Sequence, residues 1–245
     1  MRTWLLTSIF LVTLHGTQAG ALSVTPLQIS LAPSGAGASQ TVEVSNELEE
    51  TITVDLSVAE RKMDDTGKEK TLKSVEISRS FLIFPPQLIL KPKEKRIVRL
   101  MWKGTSQVTD ELNYRLIVEQ LPVAIPRPQD KDLPRTARIR LLMKYLAAVY
   151  VTPPGAKPLI EVEPSRGQSG GLRFTVNNKG NQHQILNQFK LNCTSANGGV
   201  EIADKDLPSL IGQNVFAHQT RTFLQARSAS LNEVPESCRL TVLKQ

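Results

Sequence analysis

The sequence predicts an all-β protein built from two immunoglobulin-like β-sandwich domains. Short segments that alternate apolar and polar residues recur along the chain, and turn residues separate them every 8–12 residues or so, which is typical of a sandwich. Residues 52–58 are one such segment, with apolar side chains at every second position. No long amphipathic helix is evident. The break at Pro153-Pro154-Gly155 divides the pattern into two parts.

Residues 1–21 have the features of a secretory signal peptide. Arg2 precedes a short apolar stretch, residues 4–12, and the small residues Ala19 and Ala21 follow. The stretch is shorter than the about 20 residues that cross a bilayer, so a membrane anchor is the less favoured alternative. We expect cleavage after Ala19 or Ala21.

We expect the first domain to cover residues 22–152. Charged residues around Asp64-Asp65-Thr66-Gly67 predict a hairpin tip in solvent, and the other turns contain asparagine or proline. Strands are predicted at residues 42–44, 52–58, 87–90, 96–102, 114–122 and 137–151.

The second domain is predicted to cover residues 153–245, with strands at 171–177 and 189–193. Its two cysteines, Cys193 and Cys238, are the only ones in the chain. Because export leads to an oxidising compartment, a disulfide is favoured over two buried thiols. It would contribute roughly 3–4 kcal/mol in the chain-entropy model.

Charge and motifs narrow the function classes. The formal net charge is +7, which suits nucleic acid, a membrane face or an acidic protein, and export argues against nucleic acid. No phosphate-binding, dinucleotide or nucleophile-elbow motif occurs, and His15, His183 and His218 are too scattered for a metal site. We therefore expect no enzyme activity, no cofactor and no small-molecule substrate.

One predicted strand carries the candidate binding site. Because successive strand side chains point to opposite faces, one face holds Ile139, Leu141, Met143 and Tyr145, and the other is basic near its start. Such a strand suits a sheet edge, where unpaired N–H and C=O groups can accept a strand from a partner. An ordinary half-buried strand is the alternative.

Six segments, in order, resemble the PapD-like family of periplasmic pilus chaperones. They cover nearly all of the first domain and patches of the second. The segments are residues 22–28, 42–46, 84–92 (FPPQLILKP), 96–100 (RIVRL), 111–122 (ELNYRL and EQLP) and 175–183 (TVNNKGNQH).

The resemblance implies a function and an L-shaped arrangement of the two sandwiches. Members of the family complete an unfinished pilus subunit with their G1 edge strand in the periplasm, and then yield it to an outer-membrane usher. We therefore expect fimbrial subunits and an usher as partners, and Ile139, Leu141, Met143 and Tyr145 as the donor residues.

The family also anchors the subunit's terminal carboxylate with basic residues in the cleft between the domains. Here its first-strand arginine corresponds to Gln28, and its G1 lysine falls near Ala148. We expect Arg115 and Lys144 to take over this role, since each could form a charge-assisted hydrogen bond. The departure resembles the archaic branch of chaperone-usher systems.

A further expectation from the resemblance is an arginine–acid network between the domains. Arg99 and Glu111 match two of its members, and Glu233 is the expected third. Two other functions compete with the chaperone: an exported structural subunit, pilin or adhesin, and a periplasmic enzyme. No free N-terminal extension of the kind that a pilin donates is visible after residue 21.

Overall fold

A computed structural model describes the chain from residue 22 onward, with four gaps. Residues of the predicted signal peptide lie outside this part. Within it, nearly all regular structure is β-strand, and two sandwiches follow one another as predicted. No helix in the described part is long and apolar enough to cross a membrane. The described ranges are 22–122, 141–167, 170–196, 198–226 and 234–243.

The first sandwich packs two sheets around one core. One sheet has the strand order β1-β3-β8-β6, and the other has β2-β10-β9-β4-β5 with β7 beside β4. Alternate residues of both sheets point inward, so that Val98, Val118 and Val149 are fully buried. The elements are β1 (Leu22–Thr25), β2 (Gln28–Leu31), a 3-10 turn (Ala36–Ala38), β3 (Ser39–Asn46), β4 (Ile52–Met63), β5 (Glu69–Leu72), α1 (Val75–Arg79), β6 (Phe81–Phe84), β7 (Gln87–Leu90), β8 (Lys95–Trp102), β9 (Leu112–Leu121) and β10 (Lys144–Val151).

The second sandwich has a separate core that includes Phe174, Phe189 and Leu191. Its large sheet has the order β15-β14-β18-β11-β12-β17, and β13 pairs with β16. Cys193 and Cys238 lie directly opposite each other in β14 and β18 and form the predicted disulfide. The elements are β11 (Ile160–Arg166), β12 (Leu172–Asn178), β13 (Gln184–Ile185), β14 (Phe189–Ser195), β15 (Gly198–Ala203), a 3-10 turn (Asp204–Asp206), β16 (Asn214–Val215), β17 (Thr220–Gln225) and β18 (Ser237–Val242).

The predicted strands are present where the structure describes them, except that the strand predicted at residues 137–151 begins only at Lys144, after the described residues 141–143, and the helix α1 was missed. It is a single turn without an apolar stripe, capped by the Ser74 hydroxyl, which accepts a hydrogen bond from the Ile77 N–H at 3.2 Å. The break at Pro153-Pro154-Gly155 lies between the end of β10 and the start of β11. The domain boundary after residue 152 stays a prediction.

The tip of the β4–β5 hairpin has exposed side chains at Asp64, Asp65 and Thr66, as predicted, but it also makes a contact that the prediction did not include. It lies against the second sandwich at β17, where the Thr222 N–H donates to the Asp65 carbonyl at 3.3 Å and Arg221 Nη2 donates to the Thr66 carbonyl at 3.4 Å. Asp64 Oδ1 shapes the tip by accepting from the N–H groups of Thr66 and Lys68. The charged composition was correct for a turn, but it did not reveal this contact.

Replacing Gly67 with alanine should weaken this contact. The new Cβ would lie 2.0 Å from Arg221 Nη2, and the positive φ of +90° disfavours a side chain in any case. Gly212→Ala is the control, because Gly212 has φ +73° and open space around it. We expect each variant to lose about 1–2 kcal/mol for its conformation, and Gly67→Ala to lose measurably more in urea unfolding. Equal losses would contradict the described contact.

Candidate functional site

Strand β10 is covered unequally on its two sides. It pairs with β9 along its whole length, residues 144–151, whereas β2 covers only residues 148–151. The Ala148 N–H donates to the Leu27 carbonyl at 2.8 Å, so even-numbered residues direct their N–H and C=O groups away from β9. Lys144 and Leu146 therefore direct theirs toward a side of β10 that no described strand occupies.

Apolar side chains surround this open segment. Met143 and Tyr145 are half-buried against the core of the first sandwich, in line with the buried Ala147. Leu141 is 77% exposed, and Leu142 and Leu146 are also exposed. The strand begins at Lys144, so Leu141 and Met143 precede it, and Ile139 lies outside the described residues. The donor assignment of these residues stays a prediction.

A charged cluster lies on the outer face of the same sheet, beside the open segment. Arg115 grips the Glu69 carboxylate with two hydrogen bonds, Nε to Oε1 and Nη2 to Oε2, each at 2.7 Å. Arg61 Nε donates to the same Glu69 Oε2 at 2.8 Å. Arg115 Nη1 also donates to the Leu146 carbonyl at 3.1 Å, so its guanidinium reaches the open side of β10.

This cluster carries one net positive charge. Burial alone would raise the pKa of Glu69, but the hydrogen bond and charge of Arg115 and the charge of Arg61 hold that pKa below its ordinary value. The carboxylate is therefore ionised at neutral pH, and both guanidinium groups are charged. Two cations and one anion leave an excess of one positive charge, which is suited to one further carboxylate.

The second candidate anchor, Lys144, has a weaker setting. It lies opposite Glu119 in β9, and its Nζ is 3.1 Å from Glu119 Oε2 in a pair that is about half exposed. Such surface pairs contribute about 0–1 kcal/mol to stability.

Arg115 lies next to both positions where the family's anchoring cations are replaced. Ala148 pairs with Gln28 on one side and with Arg115 on the other.

The second sandwich covers this sheet face near Tyr150, at the C-terminal end of β10. The Tyr150 hydroxyl accepts from Arg61 Nη1 at 3.1 Å and from Asn214 Nδ2 at 2.8 Å. The Tyr150 ring stacks on His183, with centroids 3.8 Å apart, and the Arg61 guanidinium lies 4.9 Å from the Phe216 ring centroid. Arg61 thus joins the charged cluster to the contact between the sandwiches.

Glu111 forms a second polar contact between the sandwiches. Its side chain has no solvent exposure, and its Oε1 lies 2.5 Å from His183 Nδ1 and accepts the His183 N–H at 3.1 Å. Its Oε2 accepts from the Thr152 hydroxyl at 2.8 Å, and its N–H donates to the Asn181 carbonyl at 3.0 Å. The motif at residues 175–183 thus supplies the second sandwich's side of this contact.

The structure does not bring Arg99 to Glu111. Because Val98 and Leu100 point into the core, Arg99 points outward from the other sheet, where it is exposed opposite Thr41 and Phe84. It has no ion pair with any described residue. Glu233 lies outside the described residues. The link between the sandwiches therefore uses Glu111 with a histidine and a threonine rather than with Arg99.

Several residues of this region were not predicted from the sequence, among them Arg61, Glu69, Tyr150 and His183. His183 could have been found, since it ends a motif that was recognised. The others carry no local signal, because Glu69 lies 46 residues from its partner Arg115. Across the described ranges, no group of histidine, cysteine or acidic residues could hold a metal ion.

Comparison with known proteins identifies the family. A family model described as the pili and flagellar-assembly chaperone, PapD N-terminal domain, matches residues 23–157, more than half of the 245-residue chain. The chain belongs to this chaperone family. A search of curated proteins finds no match to it.

Solved structures of fimbrial chaperones share the fold of this family member. The class 5 fimbriae chaperone CfaA is 15% identical with a TM-score of 0.55, over 92% of this chain and 100% of that chain. The CsuC-CsuE chaperone-tip adhesion subunit complex of Acinetobacter baumannii gives 16% and 0.53, over 83% and 89%. The Salmonella enterica SafA pilin in complex with the SafB chaperone gives 16% and 0.53, over 93% and 98%.

Removing the His183 side chain should destabilise this chaperone. His183→Ala leaves the buried Glu111 carboxylate with one partner fewer, a loss of about 1–3 kcal/mol. The measurement is urea unfolding followed by tryptophan fluorescence. His218→Ala is the matched control, because His218 Nε2 makes a similar contact, 2.7 Å from Asp110 Oδ1, at an exposed site. A control loss as large as that of His183→Ala would show that burial of Glu111 is not the cause.

Proposed function

We propose that this protein is a periplasmic chaperone that captures incomplete fimbrial subunits on the open segment of β10 and delivers them to an outer-membrane usher. The observation that carries the proposal is the unequal coverage of β10, which leaves the main-chain groups of Lys144 and the N–H of Leu146 without a strand partner, while the Leu146 carbonyl is held only by the Arg115 side chain. A subunit that lacks one strand can satisfy these groups and bury its own exposed core.

The apolar residues beside the open segment suit this function. Leu141, Met143 and Tyr145, together with Ile139, would enter the gap in the subunit, and the main-chain bonds would hold any sequence of suitable length. The main-chain hydrogen bonds would provide the affinity for the subunit, and the apolar side chains would set the register of its strand against β10. The exposure of Leu141 supports its assignment, because an isolated sandwich gains nothing from it.

The position of β2 favours one direction for the captured strand. β2 runs parallel to β10 and begins at Gln28, opposite Ala148. A strand that continues the line of β2 in the same direction would end beside Ala148, and Arg115 is the nearest cation in register. We infer that Arg115 binds the subunit's C-terminal carboxylate, with a charge-assisted contribution of about 1.5–3 kcal/mol. Lys144 is the second candidate.

The similar structures and the sequence support a chaperone role in the periplasm. Two of the similar structures are complexes of a chaperone, one with a tip adhesion subunit and one with a pilin. The signal peptide predicted at residues 1–21 and the disulfide are consistent with the periplasm. A role as an exported structural subunit is not favoured, because the family model describes assembly chaperones. The departures at Gln28 and Ala148 favour the archaic branch.

A charge at Leu141 should abolish capture without unfolding the chaperone. In Leu141→Glu, the carboxylate would have to enter the apolar gap of the subunit, and we expect at least tenfold less complex, about 1.4 kcal/mol. The measurement is copurification of a periplasmic subunit with the tagged full chain. Leu224→Glu is the matched control, because Leu224 is 60% exposed on β17 of the second sandwich.

Two results decide the test. Capture by Leu224→Glu at the wild-type level, with loss in Leu141→Glu, is the expected pair. Full capture by Leu141→Glu would reject the donor-strand assignment. Urea unfolding of both variants should match the wild type, since neither leucine is part of a core.

A further inference from the structure

Glu69 makes the same kind of contact with Arg115 that a captured carboxylate would make. It accepts from Nε and Nη2 at 2.7 Å each, which is the two-bond geometry typical of arginine and a carboxylate. In the subunit-free protein, this edge of the guanidinium is therefore already occupied. Only Nη1 reaches the open side of β10, where it binds the Leu146 carbonyl.

The geometry points to Glu69 as an internal carboxylate that occupies the anchor Arg115 in the absence of a subunit and lowers the affinity of the site for a terminal carboxylate. This inference rests on the proposed function, which makes Arg115 the anchor. It adds a residue of the hairpin strand β5 to a site otherwise formed by β9 and β10.

The charge of the cluster supports this role. Arg61 and Arg115 are largely buried, and Glu69 bonds to both. When a terminal carboxylate arrives, two cations face two anions, and the two carboxylates repel each other at close range. Without Glu69, the same terminus would meet two cations and no anion. Glu69 thus reduces the attraction of the site for a terminus by one unit of charge.

Glu69 also lowers the free-energy cost of release. When a subunit leaves, a guanidinium that is shielded from water would lose its acceptor, which is costly. Because Glu69 is held on the sheet by the pairing of β4 and β5, its carboxylate stays within reach and restores both hydrogen bonds. A chaperone that must hand on its cargo gains from such an exchange, since neither state leaves Arg115 unpaired.

Glu69→Gln should therefore increase the preference for a free carboxylate. The probe is a fluorescein-labelled heptapeptide of alternating valine and threonine, as long as residues 141–147, made as the free acid and as the C-terminal amide. Binding to the full mature chain is measured by fluorescence anisotropy. We expect the wild type to prefer the acid, and Glu69→Gln to raise this acid-to-amide preference by about tenfold. Arg115→Ala should abolish the preference.

Glu119→Gln is the matched control. It removes a carboxylate from the same sheet face, where Glu119 pairs with Lys144 instead of Arg115. We expect its preference to stay within about twofold of the wild type. A rise in Glu119→Gln but not in Glu69→Gln would overturn the inference and favour Lys144 as the anchor.

A second variant covers the case in which Glu69→Gln does not fold. Glu69→Asp keeps the charge, but its shorter side chain cannot reach both arginines, so we expect a smaller rise in the same direction. An unchanged or lower acid-to-amide preference in the folded variants would overturn the inference. If the wild type and every variant bind neither peptide, the proposed strand capture fails and the inference fails with it.

Discussion

Strand β10 bonds to β9 along its whole length but to β2 only over residues 148–151, and the other features of the molecule depend on this difference. The covered half fixes β10 in the first sandwich and places Tyr150 against the second. The open half leaves main-chain groups and apolar side chains available. Because both halves belong to one strand, the binding segment is held in register by a well-packed core.

The contact between the sandwiches also fixes the C-terminal end of β10. Glu111 lies just before β9, and Thr152 lies just after β10, so their hydrogen bond ties the ends of the two strands to His183. Arg61 connects this contact to the charged cluster, since it contacts Tyr150 and Phe216 at the contact and Glu69 in the cluster. The charged cluster beside the open segment is therefore built on a fixed base, and the position of Arg115 follows from neighbours on three strands.

Local patterns in the sequence predicted the strands, the disulfide and the two sandwiches, because each depends on residues near in sequence or on the compartment. The alternation in residues 52–58 reports burial directly. The motif at residues 175–183 was recognised, and the structure gives its physical reason. Asn178 bonds the backbone of its own turn, and Asn181 and His183 bond the first sandwich.

Contacts between distant segments could not be predicted in the same way. The contact of the hairpin tip with β17 depends on how the two sandwiches are placed, and no residue pattern near Gly67 indicates it. The grip of Glu69 on Arg115 depends on the register of three strands. Arg99 was assigned to the domain contact by resemblance, whereas the alternation of β8 turns it outward. The alternation of apolar and polar residues shows which side of a strand is buried. It does not show which distant residues come into contact when the strands pair.

Hydrogen exchange at the amides of β10 tests the central claim most directly. Tyr145 and Ala147 direct their N–H groups to β9, whereas Lys144 and Leu146 direct theirs to the open side. In the free chaperone, the first pair should exchange slowly and the second rapidly. On binding a subunit, Lys144 and Leu146 should become protected to the level of their neighbours. Rapid exchange at both in a purified complex would contradict capture by strand addition at β10.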